Sequence, residues 1–254
     1  MTGFCLFENF HQKKHIGSSR IRGRWVMQKM RDAEEFVQGK DYDSVVYQKT
    51  YWREHARMFH GKKVLDICDP DWLDGVELVS FVKNVDAITV PTVPLKTDIE
   101  RMTDKPVFLI PDRILFDGFP ERKKHFGTAK KVGWFGYSHN VSTLDPALVK
   151  IKKMGLTLVV ISNANLQSTE CEIENISWSE ETVYKNLQTV DFVLLPDYLK
   201  GRGVYKSQNK TELSWALGLP VAKTPQDMDR FMDGLERENE SKEKSSWARK
   251  ECDV

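Results

Sequence analysis

Three observations predict an α/β protein built from two Rossmann-like domains with parallel sheets. Short apolar runs of strand length recur along the 254-residue chain, amphipathic stretches of helical period separate them, and a charged break at residues 116–131 divides the runs into two sets. Strands alternating with helices need crossover connections, and crossovers make neighbouring strands parallel. Sheets of this kind hold ligands beyond the carboxyl ends of their strands. Two such domains are expected to face each other across an interdomain cleft.

In the first half, strands are read at residues 4–7, 44–47, 64–68, 87–90 and 107–110. Val26, Met30, Ala33 and Val37 recur at helical spacing, which predicts a helix from about Arg22 that buries this stripe and leaves its basic residues exposed. The break, FDGFPERKKHFGTAKK, carries Gly, Pro and dense charge without apolar periodicity and reads as a linker. In the second half, strands are expected at 131–135, 156–162, 192–196 and 221–222, with helices at about 145–154, 180–188 and 207–217. The C-terminal GLERENESKEKSSWARKECDV is too polar for a core strand and reads as an exposed helix or frayed tail with Trp247 as an anchor. The domains are placed at 1–122, 123–235 and, for the polar C-terminal segment, 236–254.

Composition bounds the function. With 40% hydrophobic and 30% charged residues the chain is ordinary for a folded protein, which argues against disorder. Lys and Arg number 38 against 37 Asp and Glu, so the chain as a whole makes no case for a polyanion or a membrane surface. Cys5, Cys68, Cys171 and Cys252 are far apart and form no CxxC pair, arguing against a disulfide framework or zinc site and for a cytoplasmic protein. No apolar run approaches the roughly 18 residues of a spanning helix, and the N-terminus MTGFCLFENFHQKKH carries no leader to remove. His11, His15, His55 and His60 show no ligand spacing, and no metal is expected. Oligomeric state has no signal.

Two constellations mark the first half. Lys13, Lys14, Arg20, Arg22, Arg24, Lys29 and Arg31 follow one another with no acid between them, and Gly17, Ser18, Ser19 and Arg20 lie just after the first strand, where an α/β domain presents a ligand loop. The run reads as a solvated basic face. Alternatively, with Arg122, Lys123, Lys124, Lys130 and Lys131, it rims the cleft and receives a polyanionic acceptor such as DNA. VLDICDPDWLDG places Asp66, Asp69, Asp71 and Asp74 at a strand end; Asp69 is the candidate base for an acceptor hydroxyl, against an equal reading as a turn-former beside Pro70.

The second half carries the strongest signal, VDFVLLPDYLKGRGVYKSQNKTELSWALGLPVAKT: a buried strand, a loop over 200–205, a helix opening at Lys206 and Ser207, and another strand after Gly218. Unpaired backbone N–H groups and the helix dipole favour an anion at such a start, so Lys206, Ser207, Asn209 and Lys210 are read as phosphate ligands. In GWFGYSHN, Gly136 lets a ligand approach the backbone, and Ser138 and Asn140, beside Tyr137, supply polar groups for phosphate or sugar. Ser177 and Glu180 fit a capping box for the helix at 180–188.

Together GWFGYSHN, LVVISNAN, the DFVLLP strand and KSQNK followed by ALGLPV resemble the donor-binding domain of GT-B fold glycosyltransferases, especially the retaining group that uses nucleotide-sugars. The resemblance covers about a hundred residues. It implies diphosphate contact by Lys206, Ser207 and Asn209, with Arg202 and Lys210 next, and base contact near Ser162, Asn163 and Trp178, whose ring either stacks on the base or staples its helix. Of the family's glutamate pair only Glu212 remains, one register out, read either as a sugar contact or as an exposed helix carboxylate. The implied activity is a hexosyltransferase that takes a nucleoside-diphosphate sugar as donor and needs no cofactor. Arg202 and Lys206 would stabilise the leaving group, and Asp69 would serve the acceptor. The chain is similar in general design to small phage glycosyltransferases that modify hydroxymethylated pyrimidines in DNA. A glycan or other small acceptor, and a non-catalytic nucleotide-sugar or nucleic-acid binding protein, are the alternatives. Retention or inversion is not readable.

Overall fold

A computed structural model describes residues 1–13, 16–197 and 201–254. Lys14, His15 and Lys200, the first residue of the loop read at 200–205, lie outside the described residues. The chain forms two compact units, one of residues 1–115 with 201–208 and Val254, the other of residues 116–197 with 209–253.

The first unit is a parallel sheet of β1 (Thr2–Leu6), β2 (Ala33–Glu35), β3 (Ser44–Gln48), β4 (Lys62–Asp66), β5 (Ala87–Val90) and β6 (Val107–Leu109), in the order β2-β1-β3-β4-β5-β6. Its inner strands are apolar because helices cover both faces, and Val45, Tyr47, Leu65, Ile88 and Val90 are fully buried. Phe81, Leu95 and Ile99 close over them from the helices Leu78–Val82 and Val93–Glu100. A buried side chain of this size contributes about 1.5–3 kcal/mol, so these positions dominate the unit's stability.

The helix expected to bury Val26, Met30, Ala33 and Val37 does not form as such. Helical residues run over 17–29, through a π-helical turn at Arg20–Arg24, and end where Met30 turns extended (φ −90°, ψ 136°). The buried face is Ser19, Arg22, Gly23 and Trp25, while Met30 and Val37 stand 40% and 54% exposed. Gly23 is needed there because any Cβ would overlap the Leu6 side chain of β1. Ala33 instead enters β2, pairing with Thr2 and extending the sheet by one edge strand.

The second unit holds β7 (Lys131–Gly136), β8 (Thr157–Ser162), β9 (Ile173–Ser177), β10 (Phe192–Leu194) and β11 (Val221–Ala222), all parallel, in the order β11-β10-β7-β8-β9. The strands read from sequence lie within a few residues of these limits, but β9 went unread because an edge strand with one polar face makes no apolar run. Its presence also overturns the capping box. Ser177 is paired with Ser162 in the β8–β9 ladder, and the helix that follows is Val183–Leu187, preceded by Thr182 with no side-chain cap.

The polar C-terminus is neither frayed nor wholly exposed. Helix Gly234–Glu251 is capped by Asp233, whose Oδ1 accepts from the N–H groups of Leu235 (2.7 Å) and Glu236 (3.1 Å). It packs on helix Asn209–Ala216 through a buried face of Gly234, Arg237, Ser241, Ser245 and Ala248. Small residues allow close approach, and Arg237, fully buried, donates to the carbonyls of Phe231, Met232, Phe126 and Gly127. Trp247 lies edge-on to Trp215 at 5.6 Å but remains 43% exposed.

The charged break is held just as firmly. Arg122 pairs with Glu238, Lys123 Nζ donates to the carbonyls of Gln188 and Val190, and buried His125 donates from Nε2 to the Gly218 carbonyl at 2.7 Å. Burial pushes the His125 imidazole below its ordinary 6.5, helped by Lys123 and Arg237 and opposed by the Gly218 bond and Glu238. The hydrogen bonds of Arg122 lead the effects that bring the Glu238 carboxyl down to about 2. The unfolded chain binds a proton at His125 below its ordinary pKa while the folded chain resists it, so stability is lost as pH falls through that value. Glu238 adds a further loss between its unfolded value and about 2. The urea midpoint of the parent protein is therefore expected to fall more steeply from about pH 7.5 to about pH 5.5 than that of His125→Gln. Equal slopes would contradict this.

Candidate functional site

The second sheet reverses its order at β7, which has β8 on one side and β10 on the other; in open α/β sheets ligands bind beyond the carboxyl ends of the strands at such a switch point. β7 ends at Gly136, whose φ of +157° suits glycine. A Cβ at this position would lie 2.5 Å from Lys210 Nζ and 3.2 Å from the Trp134 ring. Lys210, in the first turn of Asn209–Ala216, has its ammonium 5.5 Å from the centre of the Trp134 ring and 5.7 Å from that of Phe135. The electron-rich faces of these rings attract the cation.

The other expected donor residues lie at the carboxyl ends of β7, β8 and β9 and on the helix Asn209–Ala216. Ser162 Oγ donates to the Gly136 carbonyl at 2.8 Å, the Ser138 N–H donates to Asn163 Oδ1 at 2.9 Å, and the Trp178 N–H donates to the Ser162 carbonyl at 2.9 Å. Tyr137 stacks on His139 at 5.7 Å and is 44% exposed, and Asn140 lies in the 3₁₀ segment Ser138–Leu144. Asn209 Nδ2 is buried and meets no acceptor among the described residues. Glu212 is half-buried on the same helix. Lys223, which the sequence reading passed over, follows β11 and donates to Thr211 Oγ1 at 2.7 Å and Asp197 at 2.9 Å. A lysine directly after an apolar strand was the signal for it.

Arg202, Lys206 and Ser207 are placed differently from expectation. The helix opens at Asn209, not at Lys206, and residues 201–208 belong to the first unit. Arg202 pairs with Asp74, Tyr205 donates to Asp98 at 2.5 Å, Lys206 meets Asp69 at 2.6 Å and Ser207 donates to Asp112 at 2.5 Å. Four carboxylates on one unit draw the whole loop to it, a long-range choice that local propensity does not encode.

Asp69 lies between two ammonium groups. One oxygen accepts from Lys206 and the other, at 2.7 Å, from Lys49. Burial would raise the Asp69 carboxyl, but the two lysines outweigh it and hold it below the usual carboxylate range. A general base works best with a pKa near the working pH. These contacts make Asp69 an ion-pair anchor. Lys49 was not singled out from the sequence, yet it stands at the order reversal of the first sheet, between β1 and β3, with φ +51°. A non-glycine residue in that region costs of order 1–2 kcal/mol, and such strain clusters at functional sites. Asp66 and Asp71 are likewise engaged, by Arg22 and by Tyr51.

The basic run is largely neutralised within its own unit. Ser19 is buried and donates to Gln48, Arg20 lies 5.3 Å from the Trp25 ring centre, and Arg24 binds Glu35 and Glu8. Arg22, expected on an exposed face, is buried between Asp66 (2.6 Å) and Asp112 (2.9 Å). Gly17 and Ser18 open the helical run. Among the described residues, no helix is long and apolar enough to cross a membrane.

Comparison with known proteins identifies the fold as GT-B: two α/β units with parallel sheets, shared with solved glycosyltransferases. Trehalose-6-phosphate synthase OtsA superposes with a TM-score of 0.55 at 11% identity, covering 85% of this chain and 70% of that one. TarM superposes with a TM-score of 0.50 at 12% identity over 82% of this chain, which spans half the length of TarM. No protein-family model matches the sequence, and no curated protein does.

Proposed function

We propose that the protein transfers a sugar from a nucleoside-diphosphate sugar to an acceptor hydroxyl, with the donor bound at the carboxyl edge of the second sheet. The observation that carries this reading is the meeting of the Lys210 ammonium with Gly136 at the β7–β10 switch point. As the glycosidic C–O bond breaks, its electron pair stays on the diphosphate, and a fixed ammonium favours that state over the ground state. The unmet Asn209 Nδ2 donor lies in the same helical turn as Lys210. Ser162 at the end of β8, Asn163 after it and Trp178 after β9 are the groups for the nucleoside, and Lys206 and Arg202 are proposed for the leaving-group charge. No cofactor is invoked.

Of the acceptors, a glycan or other small hydroxyl compound suits the first unit better than hydroxymethylated pyrimidine in DNA. Phosphate backbones are held by protein cations that displace the counterions of the nucleic acid, whereas Arg22 and Arg24 already have carboxylate partners. The test is a thermal-shift panel of nucleoside diphosphates and nucleotide-sugars. A ligand at about 100 times its Kd raises stability by about 2.7 kcal/mol, so at least one base should raise Tm clearly. A flat panel would overturn the reading, and hexose added to hydroxymethylated DNA would restore the nucleic-acid acceptor.

A further inference from the structure

Lys49 occupies a position that the proposed transfer reaction has not yet used. It directly follows β3 at the order reversal of the first sheet, it holds left-handed backbone, and its side chain is only 14% exposed. Its ammonium donates to Asp69 Oδ2 at 2.7 Å, lies 3.3 Å from Asp71 Oδ1 and sits 5.2 Å from the centre of the Phe7 ring. The other oxygen of Asp69 accepts from Lys206 at 2.6 Å. The Lys206 side chain is 49% exposed, so its carboxylate partner does not enclose it.

The charges explain why two lysines are needed. Asp69 alone would cancel Lys206 and leave it a poor anion ligand. Lys49 takes up part of the Asp69 charge, so Asp69 can orient Lys206 without cancelling it. Asp71 shares Lys49 and is in turn held by the Tyr51 hydroxyl at 2.7 Å. Half-buried Cys68, with Sγ 3.8 Å from Asp69 Oδ2, has its thiol pushed up by desolvation first and by Asp69 next, so it adds no negative charge. Burial pulls down on the Lys49 ammonium, but the carboxylates of Asp69 and Asp71 outweigh it and keep it protonated.

We propose that Lys49 is a positioning residue: through Asp69 it holds the Lys206 ammonium ready for an anionic pyrophosphoryl group. The role as a donor contact rests on the transfer reaction proposed above, whereas the Lys49–Asp69–Lys206 linkage itself does not.

The test is calorimetric titration of the full chain with inorganic pyrophosphate. Lys49→Met is expected to weaken binding about tenfold, Lys206→Ala about as much, and the double variant no more than about twofold beyond Lys206→Ala. Without Lys49, the burial of Asp69 loses its main opposition. The ratio of the Lys49→Met Kd to the parent Kd should therefore widen from about pH 7.5 to about pH 5 as the carboxyl takes a proton and lets Lys206 go. Lys49→Arg should recover most of the loss. A side chain that merely fills space would give additive losses and a ratio independent of pH, and either result overturns the proposal. Should Lys49→Met fail to fold, Asp69→Asn decides. Weaker binding is expected, and tighter binding would make Asp69 a competitor for Lys206 and overturn the role. Pyrophosphate binding that obeys this cycle in a protein that binds no nucleotide would sink the transfer reading alone. Nucleotide-sugar turnover with pyrophosphate binding untouched by Lys49→Met would sink this one alone.

Discussion

Replacing Arg22 by methionine is expected to lower stability by about 3–5 kcal/mol, measured by urea unfolding of the full chain. The Arg22 side chain is 5% exposed, and its partners Asp66 and Asp112 are 4% and 10% exposed. Its Nε reaches both oxygens of Asp66 at 2.9 Å, and another nitrogen donates to the Ile110 carbonyl and to Asp112, each at 2.9 Å. Burial alone would disfavour the charge, but Asp66 and then Asp112 overcome it and raise the guanidinium pKa. Methionine fills much of the volume but strands two buried carboxylates; Thr89, which donates to Asp66 at 2.7 Å, relieves only part of that. Arg24→Met is the control. Arg24 is 34% exposed, and its loss should cost no more than about 1 kcal/mol. Equal losses for the two variants would mean that the buried network contributes nothing beyond a surface ion pair.

Lys210→Ala is expected to reduce kcat/KM for the nucleotide-sugar about 100- to 1000-fold, in the range seen when one preorganised stabilising group is removed. The urea midpoint should move far less than for Arg22→Met, because Lys210 lies over ring faces on a half-buried part of its helix. The loss should fall on kcat as well as on KM, since the charge on the leaving diphosphate grows as the bond breaks. Lys150→Ala, which removes a pair with Asp229 at 2.5 Å, should leave the kinetics unchanged. A Lys210→Ala loss below about threefold would place leaving-group stabilisation elsewhere.

Inner strands were legible in the sequence because burial on both faces forces a continuous apolar run: TLVVIS and AITV announce themselves. Edge strands AEE and IENIS bury only part of their surface and carry no such run. The C-terminal helix hid its packing face for a different reason. Its buried residues are Gly, Ser, Ala and an arginine that donates to carbonyls, so apolar periodicity has nothing to register.

The positions of Gly136, Ser162 and Asn163 at strand ends and of Lys210 at a helix start were legible, because glycine turns and polar residues after apolar runs mark carboxyl edges. The attachment of Lys206 and Ser207 to the first unit was not, since Asp69 and Asp112 lie 137 and 95 residues away. Lys49 was overlooked as an ordinary residue past a strand end. Its significance comes from backbone strain and from two distant carboxylates, neither of which spacing reveals.

The central claim is that the donor diphosphate meets Lys210 where β7 and β10 diverge. A crystal of the full chain soaked with a nucleoside diphosphate tests it directly. Density for the two phosphates beside Gly136, with an oxygen about 3 Å from Lys210 Nζ, is the predicted result. Density for an ordered nucleotide elsewhere on the chain, with the β7 edge empty, would contradict it.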